Sequence, residues 1–491
     1  MTVLPVDSQR LLRYTGTGAE RSGGNVRKRF SGAGRLLYRK EVDEIRFQAT
    51  VGISAAARKA WPALGRRCRL SLAGVAAAII LALQLMGSAQ AAAKVIPVAL
   101  IDPFSGPFGP VGIAYAQELA FMVKKVNRSG ALGRYKLKLV LFDDKVSPAV
   151  AQLDAEKAAD EGIHYLVQGL GSNVAFALVH WLKKHNRNHP KDKILYLNYA
   201  SIDPGLSNGD CGFYHFNFDA NVNMKMAALV SYIKSQKEIH KVFLINMDYS
   251  YGHAVDEAAR EMLQRARPDI KIVGDLFTPI GKVKDYTPFV YQIKQSGAQA
   301  VITGNWGADM ALLGKAAGQA RLTGIRFFTF YAGMPGTPQA IGDIGAGRIM
   351  QITPWVATVK SSETRLATEF KAEYHTDWYY GSQVYLTGML AKAIEEAGTD
   401  DPTRVALHLE GMHYDSPVGD VYMRADNNAA VMPMYLSILE KGVKPYLQGT
   451  DMQWRAVGRI PAISMMLPSS CHMVRPKAAV LYNAYYDNTG Q

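Results

Sequence analysis

Residues that could bind a small anion follow one of the apolar strand-like runs of the sequence. After this run the chain reads Gly-Leu-Gly-Ser-Asn over residues 169–173, and a helical pattern begins there. The glycines allow a tight turn, and Ser172 places a hydroxyl beside the free backbone N–H groups of a helix N-terminus, where a carboxylate can bind. The alternative is that Ser172 only caps the helix. Because Val174 stands where a dinucleotide-binding fingerprint needs its third glycine, the loop does not predict such a cofactor.

Loops after the other predicted strands combine small residues with aromatic ones. The loop residues predicted to form a ligand site with Ser172 are Phe108, Asn173, Ala200, Ser201, Tyr251, Trp306, Asp309 and Tyr331. In parallel sheets a ligand binds at the carboxyl ends of the strands, where these loops would meet. Small residues allow close approach of the backbone, and a ring from each side could close over a small molecule. Each ring taken alone could instead be packed in the core.

The sequence carries no recognisable catalytic or metal-binding motif. It lacks H-E-x-x-H, G-x-S-x-G, a Walker loop and a paired-cysteine metal site. His185 and His189 are four residues apart, but the neighbouring cations would repel a metal, and a solvated helix end is the simpler explanation. Asp143 and Asp144 could form a carboxylate pair, although a turn at a strand end is the simpler explanation. We therefore expect no catalytic residue, no metal and no cofactor.

Most of the positive charge lies before residue 92. The 491-residue chain contains 56 Lys+Arg and 42 Asp+Glu, for a formal net charge of +14. Residues 1–91 hold 15 of the basic and 5 of the acidic residues, which leaves a net charge of +4 for the other 400. So small an excess on a folded region does not indicate a nucleic-acid partner. With 48% hydrophobic and 20% charged residues, the composition also excludes collagen-like, coiled-coil and wholly disordered classes.

The same N-terminal segment has the layout of a secretory signal. Basic residues between positions 58 and 69 precede an uncharged run from Leu70 to Ala93, which ends in small residues at A-x-A spacing. A basic region, an apolar region and such a cleavage site are typical of a signal peptide. The alternative is a retained membrane anchor. Residues 1–57 are interpreted as a disordered basic extension, or as upstream sequence added by a misassigned start codon.

Export would place the mature chain in an oxidising compartment, where paired cysteines form disulfides. Cys68 precedes the apolar run, so only Cys211 and Cys471 remain after the signal. We predict a disulfide between these two residues that ties the C-terminal segment to the body of the protein. Two buried free thiols are the alternative.

The elements that must position these loops alternate from Lys94 onward. Short apolar runs alternate with helical repeats of apolar residues, which predicts βαβ units and parallel sheets. Predicted strands cover residues 95–101, 135–142, 163–167, 194–199, 241–247, 270–276, 299–303, 325–330, 418–423 and 432–439. Predicted helices cover residues 112–127, 148–160, 173–185, 222–236, 252–266, 288–296, 307–320, 362–375, 383–397 and 402–411. Two successive runs of about 120 residues each predict two doubly wound lobes rather than one sheet.

The chain from about Val95 to Leu439 resembles the type I periplasmic solute-binding proteins of ABC transporters, in their leucine/isoleucine/valine-binding group. The resemblance rests, in order, on residues 103–109, 127–144, 169–172, 201–206, 251–252 and 285–304. It implies an α/β fold of two Rossmann-like lobes joined by a three-crossover hinge, with the ligand cleft between them. The expected division is 1–93 for the basic extension and signal peptide, 94–217 and 355–417 for lobe 1, 218–354 and 418–445 for lobe 2, and 446–491 for a C-terminal tail.

The resemblance also implies roles for single residues. Ser172 matches the family's carboxylate-binding serine, and Ala200 and Ser201 match a segment whose backbone helps to hold the carboxylate. Tyr251 matches a tyrosine that closes on the ligand from the second lobe. Trp306 stands where the family often has an aromatic residue.

Two departures from the family's pattern bear on the solute. Ile202 replaces a threonine whose hydroxyl usually joins the carboxylate site. The loop near Ala332 lacks the glutamate that amino-acid binders use for the α-ammonium group, and Asp309 is the candidate to replace it. A buried ammonium without a partner would cost several kcal/mol. A branched-chain amino acid is therefore one candidate solute, beside an amide, a urea-like compound and an aromatic acid.

These observations predict the substrate-binding component of an ABC importer. We expect a monomeric, non-enzymatic protein of the periplasm that captures an amino acid, an amide or a small carboxylate by lobe closure. Its partner would be an ABC permease in the inner membrane. One alternative is a ligand-sensing module that presents its closed state to a signalling partner. Another is an enzyme on the same fold, for which the sequence offers no reactive pair.

Overall fold

Two largely parallel sheets organise the part of the chain that the computed structural model describes, residues 93–477. The predicted extension and signal peptide lie outside this range except for Ala93, and so do residues 478–491. Within residues 93–477, no helix has the length and apolar character needed to cross a bilayer.

The first sheet is built from the first five strands. They are β1 Lys94–Asp102, β2 Tyr135–Asp143, β3 Tyr165–Gln168, β4 Leu195–Asn198 and β5 His215–Asn217. The helices that connect them are α1 Gly109–Ser129, α2 Pro148–Asp160 and α3 Ser172–Asn188. All five strands are parallel, in the order β2-β1-β3-β4-β5. Every residue of β3 and β4 is buried, as expected for strands covered on both faces.

A second run of alternating strands and helices follows. Its strands are β6 Lys241–Met247, β7 Lys271–Thr278, β8 Ala300–Thr303, β9 Arg326–Thr329 and β10 Ile349–Thr353. Its helices are α4 Val222–Ser235, α5 Ser250–Ala266, α6 Thr287–Gln295, α7 Gly307–Gln319 and α8 Thr337–Ile341. These five strands are parallel to one another.

The last part of the described chain adds three helices and five strands. The helices are α9 Ser362–Tyr374, α10 Ser382–Ala397 and α11 Pro402–Leu409. The strands are β11 His413–Ser416, β12 Gly419–Met423, β13 Ala430–Val431, β14 Met434–Lys441 and β15 Met452–Ile460. The first three form a small antiparallel sheet. The last two extend the second sheet, whose order is β15-β14-β10-β9-β8-β6-β7.

Helix α3 shows why the chain folds in this way. Its apolar residues Val174, Leu178, Val179 and Leu182 recur at helical spacing, and each is at most 2% exposed. Burying one such side chain stabilises the fold by about 1.5–3 kcal/mol. The two sheets with their covering helices confirm the predicted α/β fold with two Rossmann-like lobes.

Strand β15 lies within the segment predicted to be a C-terminal tail. It pairs with β14 at the edge of the second sheet, and only its first three residues are buried. Because the rest of the strand is partly exposed, its sequence lacks the regular apolar alternation that predicts a strand. The division of the chain between the two lobes stays a prediction.

The predicted disulfide is confirmed. Cys211 and Cys471 are bonded, with their Cα atoms 5.9 Å apart and a sequence separation of 260 residues. Near the bond, the backbone N–H of Ser470 donates to Asn208 Oδ1 at 3.0 Å. The segment after β15 is therefore held to the body of the protein by a covalent bond and by hydrogen bonding beside it.

Candidate functional site

The loops that follow β3 and β4 lie side by side at the carboxyl edge of the first sheet. The backbone N–H of Tyr199 donates to the carbonyl of Gln168 at 3.0 Å, and that of Asp203 donates to Ser172 Oγ at 3.4 Å. The two loops are therefore joined near both of their ends. We refer to residues 169–172 and 200–202 as the first wall.

Asp102, the last residue of β1, supports the first wall from behind. Its Oδ1 accepts hydrogen bonds from the backbone N–H groups of Gly169 (3.2 Å) and Leu170 (3.1 Å), and its Oδ2 accepts one from the Tyr199 hydroxyl (2.7 Å). Burial raises the pKa of the Asp102 carboxyl to about 7, although these donors oppose the shift. Tyr199 also fixes the residue type at position 169, because a Cβ there would lie 2.5 Å from its ring.

The hydrogen-bonding groups of Ser201 are used inside the wall. Asn198 Oδ1 accepts from the backbone N–H groups of Ser201 (2.8 Å) and Ala200 (3.3 Å). The Ser201 hydroxyl donates to the carbonyl of Gly169 at 3.1 Å. These groups therefore hold the wall in shape and are not free to bind a ligand.

Ser172 differs from Ser201 in this respect. It is the first residue of α3, and its Oγ accepts only the long hydrogen bond from Asp203. Among the described residues, neither its hydroxyl proton nor its backbone N–H has an acceptor. Free donors at the N-terminus of a helix attract anions, because the helix dipole adds partial positive charge there.

Loops of the second sheet form the opposite side of the site. We refer to Tyr249, Tyr251, Trp306, Tyr331 and Met334, which follow β6, β8 and β9, as the second wall. Trp306 Nε1 donates to the Tyr249 hydroxyl at 2.9 Å. The Tyr251 hydroxyl is buried and has no partner among the described residues. This side is therefore mainly a surface of aromatic rings.

A buried ion pair lies behind the second wall. Lys225 Nζ, on α4, is 2.7 Å from Asp219 Oδ2 and 4.9 Å from the centroid of the Tyr331 ring. The Tyr380 hydroxyl also donates to Asp219. Burial lowers the pKa of Lys225 and raises that of Asp219, whereas the attraction between the two charges opposes both shifts.

The two walls meet around a narrow cavity. The Tyr331 hydroxyl of the second wall donates to the carbonyl of Ala200 in the first wall at 3.1 Å. The lining residues are Gly169, Leu170, Gly171, Ser172, Ala200, Ser201, Ile202, Tyr249, Tyr251, Trp306, Tyr331 and Met334. The volume of the cavity is only about 20 Å³. The walls are therefore almost closed on each other.

The structure brings together six of the residues singled out from the sequence. The predicted site residues that line the cavity are Ser172, Ala200, Ser201, Tyr251, Trp306 and Tyr331. Phe108 lies one layer behind, with its ring centroid 4.3 Å from that of Trp306. It fits against Gly281 and Gly307, where added Cβ atoms would approach its ring to 2.8 and 3.0 Å. Phe108, which directly precedes α1, therefore packs against loops of the second sheet.

Asn173 and Asp309 do not line the cavity. The Asn173 Oδ1 is buried and has no partner among the described residues. Asp309 is 1% exposed, and its two carboxylate oxygens accept from the Gly281 N–H (2.7 Å) and the Tyr286 hydroxyl (3.0 Å). Asp309 therefore supports a loop of the second sheet, with both oxygens in use.

Ile202, Tyr249 and Met334 line the cavity although they were not among the residues predicted to bind. All three lie in the loops that the strand-end rule selects, and Tyr249 is two residues from Tyr251. The signal was therefore present in the sequence. The sequence pattern did not show which side chains of these loops face the cavity.

The pairs considered for metal or acid-base chemistry have structural contacts instead. The rings of His185 and His189 lie 4.4 Å apart at the end of α3. Asp143 Oδ1 accepts from the Phe104 N–H at 2.8 Å, and Asp144 Oδ1 accepts from the Val146 N–H at 2.8 Å, as in a turn at a strand end. No group of three His, Cys, Asp or Glu side chains in residues 93–477 is placed to hold a metal ion.

Comparison with known proteins decides the family. A family model described as periplasmic binding protein matches residues 95–443, the greater part of the chain. The chain belongs to this family. The predicted resemblance to the type I, leucine/isoleucine/valine-binding group is confirmed, and the family and its fold are those of substrate-binding proteins.

The alignments of this periplasmic binding protein with its relatives cover nearly the whole length of each relative. The protein is 27% identical over 414 residues to the Leu/Ile/Val-binding protein homolog 4 of Brucella abortus strain 2308. This alignment covers 82% of the present chain and 98% of the relative. A leucine-, isoleucine-, valine-, threonine- and alanine-binding protein from Brucella ovis, solved in a closed conformation, superposes with a TM-score of 0.71 at 25% identity. It covers 78% of this chain and 100% of its own.

A solute-binding protein of an ABC transporter from R. palustris, solved with benzoate, has the same fold. Its TM-score is 0.66 at 20% identity, over 77% of this chain and 100% of its own.

Proposed function

We propose that this protein is the substrate-binding component of an ABC importer and that its solute is a small carboxylate without an ammonium group. The observation that carries the proposal is the contrast inside the cavity. Free donors of Ser172 lie at one end, aromatic rings lie at the other, and no acidic side chain is among the lining residues.

The anionic end of the solute would bind at the start of α3. The hydroxyl and the backbone N–H of Ser172 supply two donors, and the helix dipole adds to their attraction for negative charge. Hydrogen bonds to a charged group contribute about 1.5–3 kcal/mol, more than those between neutral groups. Ile202 supplies no hydroxyl to this end, so the carboxylate relies on Ser172 and on backbone groups.

The cavity offers no anionic counterpart for an ammonium group. Its lining contains no Asp or Glu, and the Ala200 carbonyl already accepts a hydrogen bond from the Tyr331 hydroxyl. The carboxylate of Asp309 is turned to other partners. Because burying an ammonium without a partner costs several kcal/mol, an α-amino acid fits this lining poorly. Related proteins are named for amino acids, so this chain would differ from them at that position.

The second wall favours a flat or apolar body for the solute. Tyr249, Tyr251, Trp306 and Tyr331 present rings that can pack against an aromatic acid. The R. palustris protein solved with benzoate supports this choice, because the same fold accommodates an aromatic acid in that protein.

Capture would proceed by motion of the lobes. The walls are in contact in the present arrangement, through the hydrogen bond from Tyr331 to Ala200, so the solute would enter when they are apart and then contact both of them as they approach. Contacts made with both walls only in the closed state shift the equilibrium toward closure. The closed protein, monomeric and periplasmic, would be the form that an inner-membrane ABC permease recognises. The names of the relatives support this role.

Matched pairs of small molecules test the proposed solute class. Leucine and 4-methylpentanoate differ in the α-ammonium group, and benzoate and benzamide differ in the negative charge. We expect the two carboxylates without ammonium to raise the free energy of unfolding, by about 2.7 kcal/mol at 100 times the dissociation constant. Thermal denaturation of the mature protein measures the effect. Stabilisation by leucine that exceeds that by 4-methylpentanoate would contradict the proposal.

A further inference from the structure

A second and larger cavity lies away from the cleft, between helix α9 and the second sheet. Its volume is about 430 Å³, against about 20 Å³ for the cleft cavity. This volume falls within the range of about 300–1,000 Å³ that is typical of small-molecule sites. Its walls include the aromatic side chains of Trp355, Trp378, Tyr379, Tyr446 and Trp454.

The cavity draws its walls from different parts of the fold. Trp378 packs in a cluster with Phe121 of α1, whereas Trp454 belongs to β15 of the second sheet. It shares no lining residue with the cleft cavity. The loop after β9 separates the two, because Tyr331 and Met334 line the cleft and Gly333 lines the second cavity.

One buried polar side chain in this wall has an unused donor. Gln351, on β10, is 5% exposed, and its Oε1 accepts from the Gly333 N–H at 2.7 Å. That bond fixes which side of the amide is oxygen. The Nε2 group is then the remaining donor, and it has no acceptor among the described residues. A ligand in the cavity that accepts a hydrogen bond would give this donor a partner.

The two charged residues that line the cavity, Lys371 and Asp377, offer a ligand free hydrogen-bond donors but no free acceptor. Lys371 Nζ lies 2.6 Å from Asp377 Oδ1, and Asp377 Oδ2 accepts from the Gln448 N–H at 2.6 Å. Both carboxylate oxygens are therefore occupied. The Lys371 ammonium carries three N–H groups and uses one of them on Asp377, and its side chain is 46% exposed.

We propose that this cavity is a second binding site, for a flat aromatic molecule that carries a hydrogen-bond acceptor such as a carbonyl, carboxylate or sulfonate group. The aromatic walls pack against the rings, and Gln351 and Lys371 donate to the acceptor. Tyr446, which is 39% exposed, is the part of this lining that also faces solvent.

The fluorescent probe 8-anilinonaphthalene-1-sulfonate has this chemistry and reports binding directly. We expect saturable binding of one probe molecule to the folded protein. Ala367→Leu places a larger side chain in the cavity from α9 and should weaken binding at least tenfold. Ala177→Leu is the matched control, since Ala177 is a partly exposed alanine on α3 that lines neither cavity.

A second variant tests the donor without filling the cavity. Gln351→Glu keeps the oxygen that accepts from Gly333 but replaces the free donor by an acceptor, so it should also weaken binding at least tenfold. Ala177→Leu again serves as the control and should leave probe binding unchanged. Circular dichroism and the thermal midpoint establish that each variant is folded. Unchanged binding in both Ala367→Leu and Gln351→Glu, or an equal loss of binding in Ala177→Leu, would overturn the proposal.

Discussion

The two walls of the cleft are built on different physical principles. The first wall presents backbone and hydroxyl groups that a carboxylate, Asp102, and an amide, Asn198, hold in place through short hydrogen bonds. The second wall presents aromatic rings, and a buried ion pair lies behind one of them. If the proposed solute class is right, the first wall would position the carboxylate of the solute, and the second wall would pack against its body.

The supports behind the walls differ in how much they resist change. Asp102 is a single carboxylate whose partners are neutral donors. Lys225 and Asp219 are opposite charges taken almost completely out of water, with side chains at most 1% exposed. Removing one member of such a pair leaves the other without compensation. The second wall should therefore be the more sensitive of the two to a single substitution behind it.

The largest effect is expected from Lys225→Met. It leaves Asp219 buried and unpaired, so the free energy of unfolding should fall by about 3–5 kcal/mol in denaturant titrations. Lys234→Met, on the exposed side of the same helix, is the matched control and should change it by less than about 0.5 kcal/mol. Equal losses in the two variants would show that the pair does not support the second wall.

The next largest effect is a change of about 2 kcal/mol in the free energy of unfolding with pH, caused by His215 in the sheet behind the first wall. His215, on β5, stacks on Tyr196 at 4.8 Å, and burial lowers its pKa to about 3 from an ordinary value of 6.5. The pKa of His215 is lower in the folded state than in the unfolded state. Above about pH 6.5 the imidazole is neutral in both states, so stability is at its full value there, and stability is lost as the pH falls from 6.5 toward 3. Between pH 7 and pH 5 the loss is about 2 kcal/mol.

The measurement compares wild type with His215→Phe at both pH values. Acids with raised pKa values act in the opposite direction, among them Asp102 at about 7 and Glu363 at about 8. The difference between the two proteins therefore isolates the histidine. If both lose the same stability between pH 7 and pH 5, His215 is not the group that titrates.

Two serines of the first wall should separate binding from stability. Ser172→Ala removes a free donor, so affinity for the carboxylate should fall about tenfold, or about 1.5 kcal/mol, with little change in unfolding. Ser201→Ala removes a hydrogen bond inside the wall, so it should cost about 1 kcal/mol of stability and leave affinity nearly unchanged. Calorimetric titration and thermal denaturation measure the two quantities. The reverse pattern would exchange the roles assigned to the serines.

The smallest effect is expected in the second wall. Trp306→Phe keeps a ring against Phe108 but loses the N–H donor to Tyr249, so affinity should fall by about 0.5–1 kcal/mol, or two- to fivefold. Trp181→Phe, at a partly exposed position on α3, serves as the control and should not change affinity. If Trp306→Phe lost more affinity than Ser172→Ala, the second wall and not the first would be the main binding surface for the carboxylate.

The sequence was sufficient to predict that certain residues at strand ends lie together around one cavity, whereas their roles in binding stay predictions. Ser172 and Trp306 are of this kind, because parallel strands bring their carboxyl ends to one edge of a sheet. Asp309 is different, since its role depends on Gly281 and Tyr286, which a loop of the second sheet carries to it. The sequence pattern does not show whether a carboxylate at the start of a helix faces the cleft or a neighbouring loop.

The support of each wall was also beyond the reach of sequence patterns. Asp102 meets the Gly169 N–H across 67 residues of sequence, and no local spacing encodes that contact. Lys225 and Asp219 are only six residues apart, but a lysine at such a position is usually solvated, so its complete burial could not be predicted. Long-range hydrogen bonds and buried charges depend on how whole elements pack.

The disulfide has a consequence for the order of events during synthesis. Cys211 is made 260 residues before its partner, so the bond forms only after nearly all of the described chain has emerged. Until then Cys211 remains a thiol, open to pairing with other thiols. A chain produced in a reducing cytoplasm would keep both thiols and would hold its C-terminal segment by non-covalent contacts alone. Material prepared in an oxidising compartment and in a reducing one would therefore be two chemically different samples of the same sequence.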